Sequence, residues 1–454
     1  MPYLTWKSFD WRNGALPVFE AIKDKEYVFF LDSSLCNNYL GRYSFLGYEP
    51  FYILKDFKEG NPFNRLRELT GLYKLGSKKN ILPFLGGAVG YFSYDLGFCL
   101  ENIKESAAVD LGLPGLFLGF YDTIIAVDHF KGKLYVISTG FPETKYSLAK
   151  RRAQERLKQF ITDLSGLKDR HPEDVRPQEI AAQGLDSNFT KDKYLGAVRT
   201  AKEYIKNGDI YQVNLSQRFS AQTKMTAPGL YRKLRRVSPS SFSAYLDCGD
   251  FQILSSSPER FLYFDGKKVF SRPMKGTRPR GKCKIEDSRL RQELLKSAKD
   301  KAELIMIVDL LRNDLGRVCK YGSVRVSSMR ALEVYSTVYQ ATATIEGFLH
   351  RDKDRVDLLK ACFPGGSITG CPKIRAMQII EELEPTKRSI YTGSLGYLGF
   401  NNTMDLNILI RTILKKDDRI YFQVGGGIVA DSEAENEYAE TLAKAQGILR
   451  AIGK

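Results

Sequence analysis

This chain is short of the features that mark a membrane, secreted or sulfur-ligated protein. No apolar run in its 454 residues reaches the ~18 positions that a membrane-spanning helix needs. Met1 to Asp10 has no basic segment followed by a greasy one, so no secretory leader is expected. The 7 cysteines (Cys36, Cys99, Cys248, Cys283, Cys319, Cys362 and Cys371) are odd in number and contain no CxxC pair. That pattern fits reduced thiols in a cytoplasm and argues against a disulfide framework or a zinc knuckle. A basic tail, a zinc finger and an RNA-recognition signature are all missing.

What is present describes a folded, basic protein. The chain is 43% hydrophobic and 27% charged, enough for a sizeable core and too apolar for disorder. The formal charge is +16 and the pI about 9.3. Such a balance fits a nucleic-acid or membrane-surface binder, or a basic enzyme with an anionic substrate. Tyr231-Arg232-Lys233-Leu234-Arg235-Arg236 and Lys150-Arg151-Arg152 are short and embedded in amphipathic patterns, so they read as solvated helix faces. The expectation is no nucleic-acid and no membrane partner, with a basic nucleic-acid-binding protein as the non-enzyme alternative.

Residues 1–165 read as a strand-rich N-terminal region, with Tyr27 to Leu31, Gly86 to Tyr91 and Leu134 to Ile137 as strands and Lys145 to Leu164 as a helix. Residues 166–187 are polar, carry Pro172 and Pro177, and read as a linker. Residues 188–454 are patterned more tightly. Thr190 caps a predicted helix through Lys206, Asn207-Gly208 stops it, and Ile210 to Leu215 begins a strand. Phe251 to Leu254, Phe261 to Phe264, Ile408 to Leu414 and Ile420 to Val424 are further strands. Ile285 to Val318 and Glu433 to Leu449 are helical. Strands and helices alternate too irregularly for a barrel or a dinucleotide fold, which leaves an α+β architecture of large antiparallel sheets faced by helices.

One segment carries more chemistry than its neighbours. Ser271-Arg272-Pro273-Met274-Lys275-Gly276-Thr277-Arg278-Pro279-Arg280-Gly281 sets a lysine between an apolar residue and a glycine, in what reads as an arginine-crowded loop. Like charges disfavour an ammonium, and only the neutral amine is a nucleophile. The alternative is a solvated basic turn, since proline and glycine punctuate it twice.

Acidic pairs and glycine-rich stretches offer other chemistry. Asp300 and Glu303 lie three apart on a predicted helix and share a face, as do Glu437 and Glu440 on the last helix. Four carboxylates from two helices suit an octahedral Mg2+ that keeps waters. Against that stand a surface pair of Glu440 with Lys444 and helix-dipole compensation by Asp300. Phe363 to Lys373 reads as a glycine-rich loop with Pro372 as the first residue of the following helix, an arrangement that presents free amides to an anion. It is not a P-loop, because Cys371 rather than lysine follows Gly370. Gly425-Gly426-Gly427 reads as a turn that permits close backbone approach. Both glycine stretches also read simply as turns. Arg411 lies in an apolar run read as a strand, where a buried guanidinium wants a carboxylate.

Several ordered segments together resemble one family. They are Gly86 to Asp95, Gly208 to Val213, Ser257 to Phe261, Lys275 to Pro279, Glu303 to Asp314, Gly366 to Gly370 and Gly425 to Ser432. The chain resembles the chorismate-utilising enzymes, which include anthranilate, isochorismate, salicylate and aminodeoxychorismate synthases. The resemblance covers nearly the whole chain and is densest from Asn188 to Leu449. It implies a sandwich of large antiparallel sheets with flanking helices, and a cytoplasmic enzyme acting on chorismate.

The resemblance also implies roles. Glu303 and Glu440 match direct Mg2+ ligands, and Asp300 and Glu437 match residues that hold metal-bound water. Tyr391 and Arg411 match residues that hold the enolpyruvyl carboxylate. Thr369 and Gly370, with the amides of Gly425, Gly426 and Gly427, line the same cavity, and Ser367 belongs to the same matching stretch. Glu259 matches a general acid for the departing C4 hydroxyl, work that requires a raised pKa. Two positions divide the family. Gln212 stands where water-adding members carry a lysine. Lys275 stands where anthranilate-forming members carry alanine, and lysine there is similar to members that aminate C4.

On that likeness Lys275 attacks C2, ammonia then adds at C4, and 4-amino-4-deoxychorismate leaves for p-aminobenzoate and folate synthesis. Arg272, Arg278 and Mg2+ are the expected causes of a neutral amine. Met274 replaces the usual isoleucine and Cys371 the usual alanine. A glutaminase needs a Cys-His-Glu apparatus, and His129, His171 and His350 lie in no such setting. The resemblance implies that ammonia comes from a separate glutamine amidotransferase subunit. Some relatives bind tryptophan near the N-terminus. Ser33, Tyr43 and Phe242 fall in comparable segments, and no site is assigned to them.

Overall fold

A computed structural model of the chain describes residues 3–36, 40–56, 61–76, 81–167, 181–334 and 338–454. Its strands pair antiparallel into two large sheets, one of 12 and one of 10 strands among the described residues. The first sheet runs Thr5–Asp10, Lys133–Ser138, Thr123–Asp128, Tyr43–Gly47, Phe29–Asp32, Phe242–Asp247, Phe251–Ser257, Thr412–Lys416, Arg419–Ile428, Gln212–Gln222 and Gly370–Cys371. Gln183–Ser187 also pairs with Gln212–Gln222. The second sheet runs Met274–Pro279, Val338–Phe348, Lys268–Arg272, Arg260–Phe264, Met404–Asn407, Ser394–Gly399, Gly87–Phe92, Leu116–Tyr121 and Tyr52–Asp56, with Arg325–Val334 also on Val338–Phe348. Strands from the first 165 residues stand in both sheets beside strands from beyond residue 188.

The sheets face each other across an aromatic core. Phe29, Leu246, Ile253 and Leu414 of the first sheet share one apolar cluster with Val89, Tyr91, Phe117 and Tyr397 of the second. The Phe29 and Tyr121 rings meet edge to face at 4.6 Å, and Phe84 stacks on Tyr397 at 4.4 Å. Helices Leu16–Ile22, Tyr146–Asp163, Ala227–Val237 and Ala434–Ala451 bury apolar residues against the outer face of the first sheet. Pro62–Leu72, Ala298–Gly316 and Arg355–Cys362 do so for the second. A strand covered on both faces reads as an unbroken apolar run, as Leu116–Tyr121 does with all six positions buried.

Several boundaries fall where local chemistry sets them. Thr190 accepts from the Lys193 N–H to cap Lys191–Lys206, and Gly208 at φ +80° ends that helix's exit turn. Ser297 separates Lys284–Lys296 from Ala298–Gly316 within the predicted helical stretch. Other expectations need correction. Of the predicted linker, residues 168–180 lie outside the described residues, while Gln183–Ser187 is a strand. The stretch from Ile408 to Arg411 is not strand: the chain bends at Arg411, φ +51°, and pairing resumes at Thr412. Gly425, Gly426 and Gly427 form no turn. They continue Arg419–Ile428, paired with Ser216, Leu215 and Asn214. Pro372 is the extended cap before Lys373–Leu383, not its first turn. Among the described residues no helix is long and apolar enough to cross a membrane.

Glycine is obligatory where sheet backbones crowd. A Cβ on Gly90 would stand 1.8 Å from the Phe117 carbonyl oxygen, whereas one on Gly196, mid-helix, meets nothing within 4 Å. Gly90→Ala is expected to destabilise the fold by about 3 kcal/mol or more, and Gly196→Ala to stabilise it by about 0.5–1 kcal/mol. Thermal denaturation of the two variants checks the contrast; equal melting temperatures would refute the packing argument.

Candidate active site

The edge strand of the second sheet, inner strands of the first and two helices enclose a polar cavity of about 560 Å³. Met274–Pro279, the edge strand of the second sheet, brings in Lys275. Arg419–Ile428 brings in Gly425 and Gly427. Ala298–Gly316 contributes Asp300 and Glu303, and Ala434–Ala451 contributes Glu437 and Glu440. Glu259, Ser367, Tyr391 and Arg411 complete the predicted residues that line it.

The predicted basic loop is a pair of strand ends. Lys268–Arg272 stops before Pro273, and Lys275 lies within Met274–Pro279. The arginines expected to press on Lys275 are spent elsewhere. Arg272 pairs with Glu333 at 2.6 Å, and Arg278 with Glu293 at 2.8 Å and Asp300 at 3.1 Å. The charge facing Lys275 Nζ is opposite in sign: Glu303 Oε2, 3.5 Å away.

Glu259 is the buried acid of the cavity. Burial pushes its pKa up to about 7 from 4.5, against the downward pull of the Ser367 hydroxyl, the Lys275 charge and the Met274 N–H. Ser367 Oγ donates to Glu259 Oε1 at 2.7 Å. A carboxyl half protonated near neutrality suits proton donation.

The carboxylates on the last helix are pushed in opposite directions. Glu437 is raised by burial, partly countered by the Ser432 hydroxyl donating at 2.6 Å. Burial acts the same way on Glu440, but Lys444 at 2.7 Å, with Lys299 and Lys275 behind it, holds the carboxyl below its usual range. The expected alternative for Glu440, a pair with Lys444, is therefore present, and it lies inside the cavity wall. Arg278 holds Asp300 and Lys275 holds Glu303. All-oxygen donors suit a hard divalent ion such as Mg2+. Each carboxylate is held by its own partner, and no three His, Cys, Asp or Glu side chains converge as a ready cage among the described residues.

The remaining predicted residues act from behind the wall. A Cβ on Gly427 would meet Gln212 Nε2 at 2.1 Å and Lys275 Nζ at 3.5 Å, and one on Gly426 would meet Glu437 Oε2 at 3.1 Å. Thr369 and Gly370 do not line the cavity. The Thr369 hydroxyl donates to the Gly365 carbonyl at 3.1 Å, and Gly370 at φ +151° lets the chain pass the Gln212 carbonyl. Arg411 is half-buried on the bend, not sunk in a strand. Asn214, Gln340 and Gln423 line the cavity and were not foreseen. The signal for Gln423 was a lone amide in the apolar run Tyr421 to Val424. Ser33, Tyr43 and Phe242 come together around a separate cavity of about 350 Å³.

A lysine, a buried acid and four further carboxylates around one polar cavity form a set able to exchange a proton and to hold a cation. Residues 39–450 match the chorismate binding enzyme family, and the chain belongs to it. It is 39% identical over 426 residues to aminodeoxychorismate synthase component 1 of Bacillus subtilis (strain 168), covering 91% of this chain and 89% of that one. It is 37% identical over 458 residues to anthranilate synthase component 1 of Acetivibrio thermocellus, covering 96% and 92%. The crystal structure of anthranilate synthase component I from Streptococcus pneumoniae TIGR4 superposes with a TM-score of 0.80 at 34% identity, covering 91% of this chain and 94% of that one.

Glu259 generates a pH prediction. A carboxyl whose pKa is raised in the fold destabilises it once ionised, so its cost is absent below about 4.5, grows with rising pH and levels off above about 7. Glu259→Gln is expected to raise the melting temperature by a few degrees at about pH 8 and to change it little at about pH 4. A pH-independent difference between variant and wild type would refute the buried-acid assignment.

Proposed function

We propose that this chain aminates chorismate at C4, giving 4-amino-4-deoxychorismate for p-aminobenzoate and folate synthesis in the cytoplasm. The observation that carries this reading is Lys275, whose charge acts on buried Glu259 across one cavity. Lys275, once its ammonium has released a proton to solvent, forms a bond from Nζ to C2 while the C4–O bond breaks. Glu259 gives its proton to the departing oxygen, which leaves as water. Ammonia then bonds to C4, the C2–N bond breaks and the lysine recovers its electron pair, while the incoming nitrogen gives a proton back to the Glu259 carboxylate. Tyr391 and Arg411 hold the enolpyruvyl carboxylate, with the bare backbone at Gly425 and Gly427 leaving room for the ring. Magnesium held by Glu303 and Glu440, with Glu437 and Asp300 behind water, would neutralise the ring carboxylate when bound. A separate glutamine amidotransferase subunit supplies ammonia.

The second reading, anthranilate formation, is favoured by the anthranilate synthases among the relatives. Product analysis with chorismate, Mg2+ and ammonium separates the two. The expected product is 4-amino-4-deoxychorismate, and Lys275→Ala is expected to lower its formation at least 100-fold, in the range for loss of a nucleophile or acid–base group. Anthranilate and pyruvate released without an added lyase would establish the second reading instead.

The metal assignment has its own test. EDTA is expected to abolish turnover and Mg2+ to restore it. Glu303→Gln is expected to require at least tenfold more Mg2+ for half-maximal rate. Full activity under chelation would refute it.

A further inference from the structure

A buried chain of hydrogen bonds fixes which end of one cavity-lining amide is left without a partner. Arg388 and Glu384 form an ion pair whose side chains are 1% and 2% exposed. Arg388 Nε and Nη2 donate to the two carboxylate oxygens at 2.9 and 2.7 Å. Nη2 also donates to the Asn214 carbonyl at 2.7 Å, and Nη1 to the Ile368 carbonyl at 3.0 Å. Asn214 and Ile368 both line the cavity, so this pair braces two of its walls.

Glu384 also fixes the orientation of a third wall residue. Its Oε1 accepts from the Ser216 backbone N–H at 2.9 Å and from the Ser216 hydroxyl at 2.7 Å. A hydroxyl has one proton to give. Ser216 spends it on Glu384, so toward Gln423 its oxygen acts only as an acceptor. Gln423 Nε2 donates to it at 2.8 Å. The two ends of an amide look alike in shape, and only this hydrogen-bond logic distinguishes them. It turns Gln423 nitrogen inward and Oε1 away from Ser216. Gln423 is 3% exposed and lines the cavity, yet its Oε1 has no hydrogen-bond partner among the described residues. Asn214 Oδ1, lodged 3.0 Å from where a Gly425 Cβ would stand, is a second buried acceptor in the same position. An acceptor buried without a donor is destabilising, and a ligand that brings a donor removes that cost.

We infer, resting on the functional reading above, that Gln423 Oε1 is a subsite that accepts a hydrogen bond from an O–H or N–H of the reacting species, with Ser216 and Glu384 as the positioning residues that keep the oxygen facing the cavity. Ionised substrate carboxylates have no proton to donate. Two groups do: the ring hydroxyl at C4 and the incoming ammonia. Both are donors of the same chemistry, and kinetics tell them apart.

The test uses the purified full chain with chorismate, Mg2+ and ammonium chloride, and compares wild type with Gln423→Met, Ser216→Ala and the double variant. Gln423→Met keeps the side-chain length and removes the acceptor. It is expected to raise the KM of one co-substrate about tenfold while kcat stays within about threefold. A raised chorismate KM assigns the donor to the ring hydroxyl, and a raised ammonium KM assigns it to ammonia. Ser216→Ala is expected to raise the same KM by a smaller factor, and the double variant to be no worse than Gln423→Met, because the orientation of a missing amide no longer matters. A purely structural role lowers melting temperatures without this KM-against-kcat split. Both KM values unchanged, or effects of the two substitutions that multiply fully, overturn the inference. Should Gln423→Met not fold, the KM values of Ser216→Ala decide alone. A wild-type chain that does not consume chorismate with ammonium sinks the functional reading and this inference together; an active wild type with unaltered variants sinks the inference alone.

Discussion

No side chain grows from Gly425, Gly426 or Gly427, and the cavity depends on that bareness. The three lie within a strand, paired with Ser216, Leu215 and Asn214, with their register fixed by the ladder. On one side the Gln212 amide and Lys275 Nζ approach Gly427, and near Gly426 the Glu437 and Glu440 carboxylates do the same. A Cβ on Gly427 would strike the Gln212 amide, one on Gly425 the Leu215 carbonyl, and one on Gly426 would crowd the Glu437 carboxylate of the last helix. Close approach of backbone to reacting groups is what glycine permits. In this chain it is achieved in extended conformation, without the positive φ that a turn would need.

Around that bare strand the charges are arranged in opposition. Lys275 faces Glu303, and the arginines flanking it in sequence are turned onto Glu333, Glu293 and Asp300. Glu259 is the exception, a carboxyl with a hydroxyl and an N–H for company and a lysine charge near enough to act on it. Desolvation therefore dominates at Glu259 and ion pairing dominates at Glu440, so two glutamates in one cavity are driven to different protonation. This division separates an acid from anionic ligands without any special residue type.

The polar back wall is held from behind. Arg388 and Glu384 are buried as a pair and satisfy the carbonyls of Asn214 and Ile368 and the N–H and hydroxyl of Ser216. A buried pair of this kind contributes little net stability, but removing one partner strands the other. Its value lies in geometry. One guanidinium ties the strand Gln212–Gln222 to the segment around Ile368, and so holds two cavity walls in register. Members of one family share this sandwich while differing in product, so the product is set by side chains mounted on the fold rather than by the fold itself.

Much was legible from residue order. The antiparallel α+β class, the helix from Thr190 and the acidic pairs Asp300/Glu303 and Glu437/Glu440 follow from periodicity and capping, which are local properties of the chain, whereas the co-location of Lys275 with Glu259 was implied by the family resemblance alone. Long-range packing decided the rest. Glycines in sequence look alike in a turn or in a strand, so only pairing with Asn214 to Ser216 made Gly425–Gly427 a cavity wall. Apolar residues around Arg411 looked like strand until the chain bent there at positive φ. Arginines near Lys275 in sequence looked like its electrostatic neighbours until carboxylates more than a dozen residues away claimed them. Sequence by itself determined which groups are available to react. Tertiary structure alone decided which charges neutralise one another and which acceptors remain free, because Coulomb energy and hydrogen bonding fall off over ångströms in space and take no account of distance along the chain.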